Sequence, residues 1–353
     1  MLTELNRYGA VGTKVRAMFG RRLHYADFAK LADMHAIPEA LAYLKSHPAC
    51  AQALVNVTPS ELGRDTLEIA FRRQLREEYC QIMHYFPKED HFLLRYQTVY
   101  VEVEQLMYFF KLFQIGRQAE YTFNLPAYFT RYSQIQYAAL ASVTNYAGFL
   151  EAVRHTDFYP QLARLTHSDG SFPDFTAIDM VMRSYFYRTT IKRMAKQYRG
   201  QTYDILRESI GSQADLLNVT HIFRIRHYYP NLLDDIFHYL IPVNYHLRPA
   251  TVKALYQAPT TDDAFSILRA TPYGKHFDRY AFPHMEGYYY QYLYDFNSRQ
   301  MRTGMPTLYM PIAYLHLREL ECLNLIRILE CVRYGIPAHE ALSYVRGLTG
   351  TQL

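Results

Sequence analysis

The chain has 353 residues, half of them apolar, and carries a net charge of +5 from 38 basic and 33 acidic side chains. That length can bury a large core, the apolar share excludes a disordered tail, and so mild a basic excess argues against a nucleic-acid surface. Tyrosine is the oddity, with 34 Tyr and 21 Phe beside no Trp; a large apolar ring bearing a hydroxyl suits half-buried packing or an interface.

At the N-terminus, Glu4, Arg7, Lys14 and Arg16 charge the first turns, so no signal peptide is expected. Lys14, Arg16, Arg21 and Arg22 form the densest basic cluster, readable as a solvated helix face or as a patch for phosphate or an acidic partner. Asp27–Cys50 then reads as a short helix, a turn and a second helix. It aligns without a gap with Gln136–Tyr159 and with Thr251–Gly274. Leu31, Leu140 and Leu255 correspond, as do Leu41, Leu150 and Phe265, then Leu44, Val153 and Leu268, then Lys45, Arg154 and Arg269. An internal repeat of this kind governs the rest of the reading.

A long helix is predicted after each copy. Leu67, Phe71, Leu75 and Tyr79 form one stripe; Ile178, Val181, Met182, Tyr185 and Phe186 form the next; the third copy holds the run Tyr288, Tyr289, Tyr290, Tyr292 and Tyr294. An acid recurs near the start of each, at Glu68, Asp179 and Glu286. Arg72 and Arg183, four residues after the first two, can pair with them locally, and an acid near a helix N-terminus is favourable in any case. The third copy has Tyr290 at that offset, so Glu286 is expected to stand without a local cation. Glu68, Arg72, Asp179, Arg183, Glu286 and Tyr290 are therefore the candidate partner interface.

A closing helix follows, and Gln105–Leu112, Asn218–Ile225 and Asn324–Cys331 each open on an amide residue with apolar positions after it. The sixteen prolines fall between or at the ends of the periodic runs, and Asp174–Tyr229 has none. No alternating strand pattern with hairpin turns occurs. The predicted class is all-α, in three helical repeats at 1–118, 119–235 and 236–353, with joins near Ala119 and Ile236.

Chemistry does not assemble. The sequence has no GxxxxGK[ST], no GxGxxG after a strand, no HExxH and no GxSxG. Pro87 separates His84 from His91, His221 and His227 face different ways, and Glu319 and Glu321 point apart. Cys50, Cys80, Cys322 and Cys331 lack CxxC spacing, which suits a reducing compartment; Cys322 and Cys331 would lie on opposite helix faces and cannot share a metal. No catalytic, cofactor or metal site is expected, and no binding or hydrolysis of nucleotide. Tyr132–Leu150, the longest uncharged stretch, is too polar to span a bilayer; a soluble chain is expected, linked to any membrane through another protein.

Three stretches carry a resemblance. They are Val11–Leu23 (VGTKVRAMFGRRL), Leu44–Cys50 (LKSHPAC) and Glu321–Pro337 (ECLNLIRILECVRYGIP). They resemble the central-stalk C subunit of bacterial and archaeal V/A-type ATPases, known as the d subunit in eukaryotic V-ATPases. The last looks like the family's E-x-x-N-I-x-x-I helix, with Leu325 where Ile is common. The second departs from the usual L-x-x-T-x-Y ending at His47 and Cys50, while Thr271 and Tyr273 in the third copy stay closer. The resemblance implies a funnel of three similar helical units around a pseudo-threefold axis, without a nucleotide site. It further implies a wide face seated on the membrane rotor ring, a cavity that receives the central shaft subunits, and a place at the cytoplasmic face of the membrane. The rival readings are a helical-repeat scaffold of another complex and a helical nucleic-acid-binding protein.

Overall fold

The computed structural model describes residues 2–61, 63–121, 125–229, 236–274 and 285–348, and no strand occurs among them. Helix α1 (Leu2–Phe19) leads into α2 (Tyr25–Ala32), α3 (Ile37–Ser46) and α4 (Ala51–Leu54), then two long helices, α5 (Arg64–Met83) and α6 (Phe92–Gln114). After α7 (Ala127–Tyr132) the order returns as α8 (Tyr137–Leu140), α9 (Tyr146–Ala152) and α10 (Tyr159–Ala163), with long helices α11 (Phe175–Gln197) and α12 (Gly200–Tyr228). A third pass runs α13 (Pro249–Gln257), α14 (Thr261–Arg269), α15 (Met285–Thr303) and α16 (Tyr309–Arg333), followed by α17 (Ala338–Ser343).

Local chemistry sets these bounds. Asn145, Asp174 and Thr260 cap α9, α11 and α14 by accepting the N–H of Gly148, Thr176 and Asp263. Helices α6 and α16 both stop at a left-handed glycine, Gly116 at φ 69° and Gly335 at φ 65°. The next N–H in each case reaches back to a carbonyl of the last turn, Arg117 to Leu112 at 2.8 Å and Ile336 to Cys331 at 2.9 Å. Tyr229 takes the equivalent place after α12, at φ −139°, where the proline that follows it in sequence already bars helix. Gly335→Ala is expected to destabilise the fold by roughly 1 kcal/mol, since a Cβ is strained in the left-handed region. A urea midpoint that does not move would show that this helix end bears no such constraint.

The chain forms two compact units, residues 1–90 with 287–353, and residues 91–286. In the first, Phe28, Leu31, Leu41, Leu44 and Leu54 of the small helices close over Leu67 and Phe71 of α5 and over Leu325, Ile328 and Leu329 of α16. In the second, Leu106, Phe109 and Phe110 of α6 pack with Leu140, Phe149 and Val153 of the small helices and with Ile178 and Met182 of α11. Helix α12 packs on α13 and reaches α14, where the rings of Phe223 and Phe265 lie 4.8 Å apart. Each closing helix thus covers the small helices that come next in sequence, and α16 covers those of the first copy. Leu31, Leu140 and Leu255 are each fully enclosed, at 0% exposure. The expected three-way division follows sequence equivalence, whereas the compact units follow this exchange of closing helices.

The tyrosine run is packing. Tyr288 and Tyr294 are buried, and Tyr289, Tyr290 and Tyr292 are half-buried. Cys50, Cys322 and Cys331 are buried free thiols, and burial pushes the Cys322 thiol up to about 12. Among the described residues no helix is long and apolar enough to cross a membrane.

Candidate functional site

Each of the three acids near a helix start has a cation beside it. Arg64, one turn before Glu68, donates to its carboxylate at 3.1 Å. Arg183 donates to Asp179 at 2.7 Å, the spacing expected from sequence. Glu286 has Tyr290, not a cation, four residues on, yet it is not unpaired: Arg224 of α12 pairs with it. That cation is remote in the chain, so inspection of positions one turn away could not find it. Tyr290 lies under the guanidinium of Arg327, 5.5 Å from the ring centre. All three acids thus have a cation at hand. The premise of an unpaired carboxylate at Glu286 falls away: two of the three pairs are local to one helix, and the third joins distant parts of the chain.

A different constellation recurs, and it is buried. Each closing helix carries an acid three residues before its amide: Glu102 and Gln105 in α6, Asp215 and Asn218 in α12, Glu321 and Asn324 in α16. All six side chains are less than a tenth exposed. The acids hold the backbone that leads into the next set of small helices. Glu102 accepts from the N–H of Gln134 at 2.7 Å and the hydroxyl of Ser133 at 2.9 Å, just before α8. Asp215 accepts from the N–H groups of Tyr245, His246 and Leu247, before α13, and from the hydroxyl of Tyr273. Glu321 accepts from the N–H of Leu23 at 3.2 Å, before α2.

The amides clip the segment after their own helix. Asn218 donates to the Ile241 carbonyl at 2.9 Å and accepts its N–H at 2.7 Å. Asn324 does the same to Arg346, at 2.8 and 2.9 Å. Gln105 accepts from the Tyr121 hydroxyl at 3.1 Å. A side chain offering both a donor and an acceptor can satisfy the N–H and the C=O of one residue together, which is why an amide serves here. Aligning the closing helices matches the three amides, and the E-x-x-N stretch holds the acid in the last copy alone; the acid-x-x-amide spacing in all three is the signal that could have found the rest.

Burial raises the carboxyl pKa of Glu102, Asp215 and Glu321, and the donors around each oppose it. For Glu102 one oxygen is buried without a hydrogen-bond partner, which leaves the ionised form less supported. Glu321 is further held by Arg318, whose Nη1 donates at 2.6 Å. The same guanidinium donates to Glu78 and to the Ala49 carbonyl, and the Tyr314 hydroxyl donates to Glu78 at 2.8 Å. Desolvation pulls the Arg318 pKa down, but Glu321 and Glu78 more than reverse it, so the net shift is upward.

Chemically these are clamps. Most of their oxygens are occupied by donors from the chain itself, and Asp215, with four such donors, has little capacity left for a substrate. Elsewhere, His84 bonds the Cys80 carbonyl at 2.8 Å and His221 the Tyr239 carbonyl at 3.2 Å, as histidines serving the fold. No group of three or more metal-ligating side chains occurs among the described residues. Residues 11–344 match the family model described as the ATP synthase (C/AC39) subunit. No curated protein matches the sequence.

Proposed function

Because this chain belongs to the ATP synthase C/AC39 family, whose members are the C and d subunits of V- and A-type ATP synthases, we propose that it is a non-catalytic rotor part. In this reading it is a socket that couples the central shaft to the membrane rotor ring. The order of helix packing carries the reading. Three equivalent copies around an axis would each lend a closing helix to the next copy, and the third to the first. That is the order α6, α12 and α16 follow, with α16 on α2 and α5. In this reading, copies closed on one another would leave an axial space lined by equivalent positions, suited to a shaft tip.

Torque transmission also needs stiffness. Each ion moved against 100 mV stores roughly 2.3 kcal/mol that a slack joint would dissipate. Buried clamps repeated at the joins, beside dense aromatic packing, make such a part stiff. Its partners are then the shaft subunits and the ring, its link to the membrane is indirect, at the cytoplasmic face, and neither nucleic acid nor a small-molecule substrate enters its role.

Co-purification tests this. The tagged chain, expressed among the other ATPase subunits, should retain shaft and ring subunits, and alone it should hydrolyse no ATP. Recovery without either partner would remove the socket role. The shaft-facing surface is a narrower proposal, assigned to the three ion-paired acids because they are the helix-opening charges common to all copies. Reversing Asp179 and Glu286 together to Lys should weaken shaft capture while helicity is retained. Capture at the wild-type level would assign Glu68, Asp179 and Glu286, with Arg72, Arg183 and Tyr290, to packing and local pairing alone.

A further inference from the structure

Arg95 of α6 and Arg193 of α11 both line an open cleft of about 320 Å³, together with His91, Thr98, Tyr132 and Gln197. They also line a smaller cavity adjoining it, with Thr189 and Thr190. The two cations are treated unequally. Arg95 donates to Asp157 at 3.0 Å. Arg193 is half-buried and has no hydrogen-bond or ion-pair partner among the described residues.

Two acids, Asp157 and Glu102, face this pair, and neither makes an ion pair with Arg193. The same Asp157 oxygen that receives Arg95 is also approached by Gln134 at 3.3 Å and by the Tyr185 hydroxyl at 3.4 Å. Glu102 Oε1 takes Ser133 and the Gln134 N–H, while Oε2 is enclosed without a hydrogen-bond partner and does not reach Arg193. Burial and the proximity of Arg95 pull the Arg193 guanidinium below its usual range, and Tyr185, Asp157 and Glu102 offset this only in part, the direction expected of a cation whose charge is incompletely answered. A partly desolvated guanidinium without an acceptor is costly, and an anion entering from solvent would relieve it.

We propose that the cleft between α6 and α11 is a binding site for a small phosphate-class oxyanion, taken by the guanidinium fork of Arg193 with Arg95 beside it. The planar fork matches two oxygens of a phosphate at once, which a point charge cannot do. The volume lies at the low end of ligand sites and suits a small anion, free or as one group of a phosphate ester. The site lies within one compact unit, so the proposal stands or falls independently of the rotor reading.

The test is calorimetric titration of the full chain with inorganic phosphate, pyrophosphate, succinate and chloride at matched ionic strength. Phosphate and pyrophosphate should bind, and chloride should not. Arg193→Gln should weaken binding roughly tenfold or more, the scale of one charged hydrogen bond. Arg193→Lys should fall between the two, and exposed Arg188→Gln on the same helix should bind as wild type. If Arg193→Gln fails to fold by circular dichroism, Arg193→Lys against Arg188→Gln carries the comparison. Equal binding by chloride, equal loss in Arg188→Gln, or succinate binding in preference to phosphate would each overturn the proposal. Preference for pyrophosphate over phosphate would indicate a phosphate ester as the source.

Discussion

Arg318→Met should lower the stability of the unit formed by residues 1–90 and 287–353 by about 3–5 kcal/mol, the usual scale for breaking a buried ion pair from one side. The side chain is 5% exposed and reaches Glu78 and Glu321, themselves 12% and 7% exposed. Methionine keeps much of the stem's volume, so the loss is electrostatic and not a cavity. It strands two carboxylates against each other and leaves the Ala49 carbonyl without that donor. The surviving donors, Leu23 N–H to Glu321 and Tyr314 and Gln74 to Glu78, cannot neutralise both charges. Removing the charges together should recover much of the loss, because a neutral set no longer holds an unpaired ion. Arg318→Met with Glu78→Gln and Glu321→Gln should therefore be more stable than Arg318→Met alone. Urea denaturation of the three proteins decides it. A single-mutant loss under about 1 kcal/mol would mean that water already screens the network as it does an exposed pair.

The same network shows what the sequence could reveal and what it could not. Helices and their order were legible, because apolar spacing at Leu67, Phe71 and Tyr79 or at Ile178 and Met182 states which face turns inward. Leu31, Leu140 and Leu255 were found by alignment, and all three lie in the core. Charges were legible only where both partners share a helix, as with Asp179 and Arg183. Arg318 with Glu78, and Glu286 with Arg224, join distant parts of the chain, and no periodicity reports such a meeting. The exchange of closing helices was hidden for a related reason: Leu325 and Ile328 announce a buried stripe but not the surface that buries it. Aligned polar residues would have narrowed the choice. A charge at a buried position of a repeat needs a partner, and a charge recurring in every copy points to a partner that recurs too, here the backbone entering the next small helices.

Asp215 makes that last point measurable. Its carboxylate takes four donors, Tyr245 N–H at 3.1 Å on one oxygen, and His246 N–H at 2.7 Å, Leu247 N–H at 3.0 Å and the Tyr273 hydroxyl at 2.9 Å on the other. Three of the four are consecutive peptides, so the side chain fixes the course of the chain into α13 in place of secondary structure. Asp215→Ala leaves these donors to find water in a buried setting. At about 1–3 kcal/mol for each unsatisfied group, reduced by relaxation, the loss should be on the order of 4 kcal/mol. Asp215→Asn keeps one acceptor oxygen; turned toward His246, Leu247 and Tyr273 it forfeits mainly the Tyr245 bond and should cost roughly 1–2 kcal/mol. Tyr273→Phe removes one donor and leaves the carboxylate well satisfied, so its effect should be the smallest. Hydrogen exchange gives the local readout: in Asp215→Ala the His246 and Leu247 amides should exchange faster than the amide of Gln134, which Glu102 still holds. If Asp215→Asn proves as damaging as Asp215→Ala, the negative charge and not the number of acceptors holds this segment. The shared acid-x-x-amide spacing would then act as an electrostatic anchor, and the same substitution at Glu102 and Glu321 should reproduce the effect.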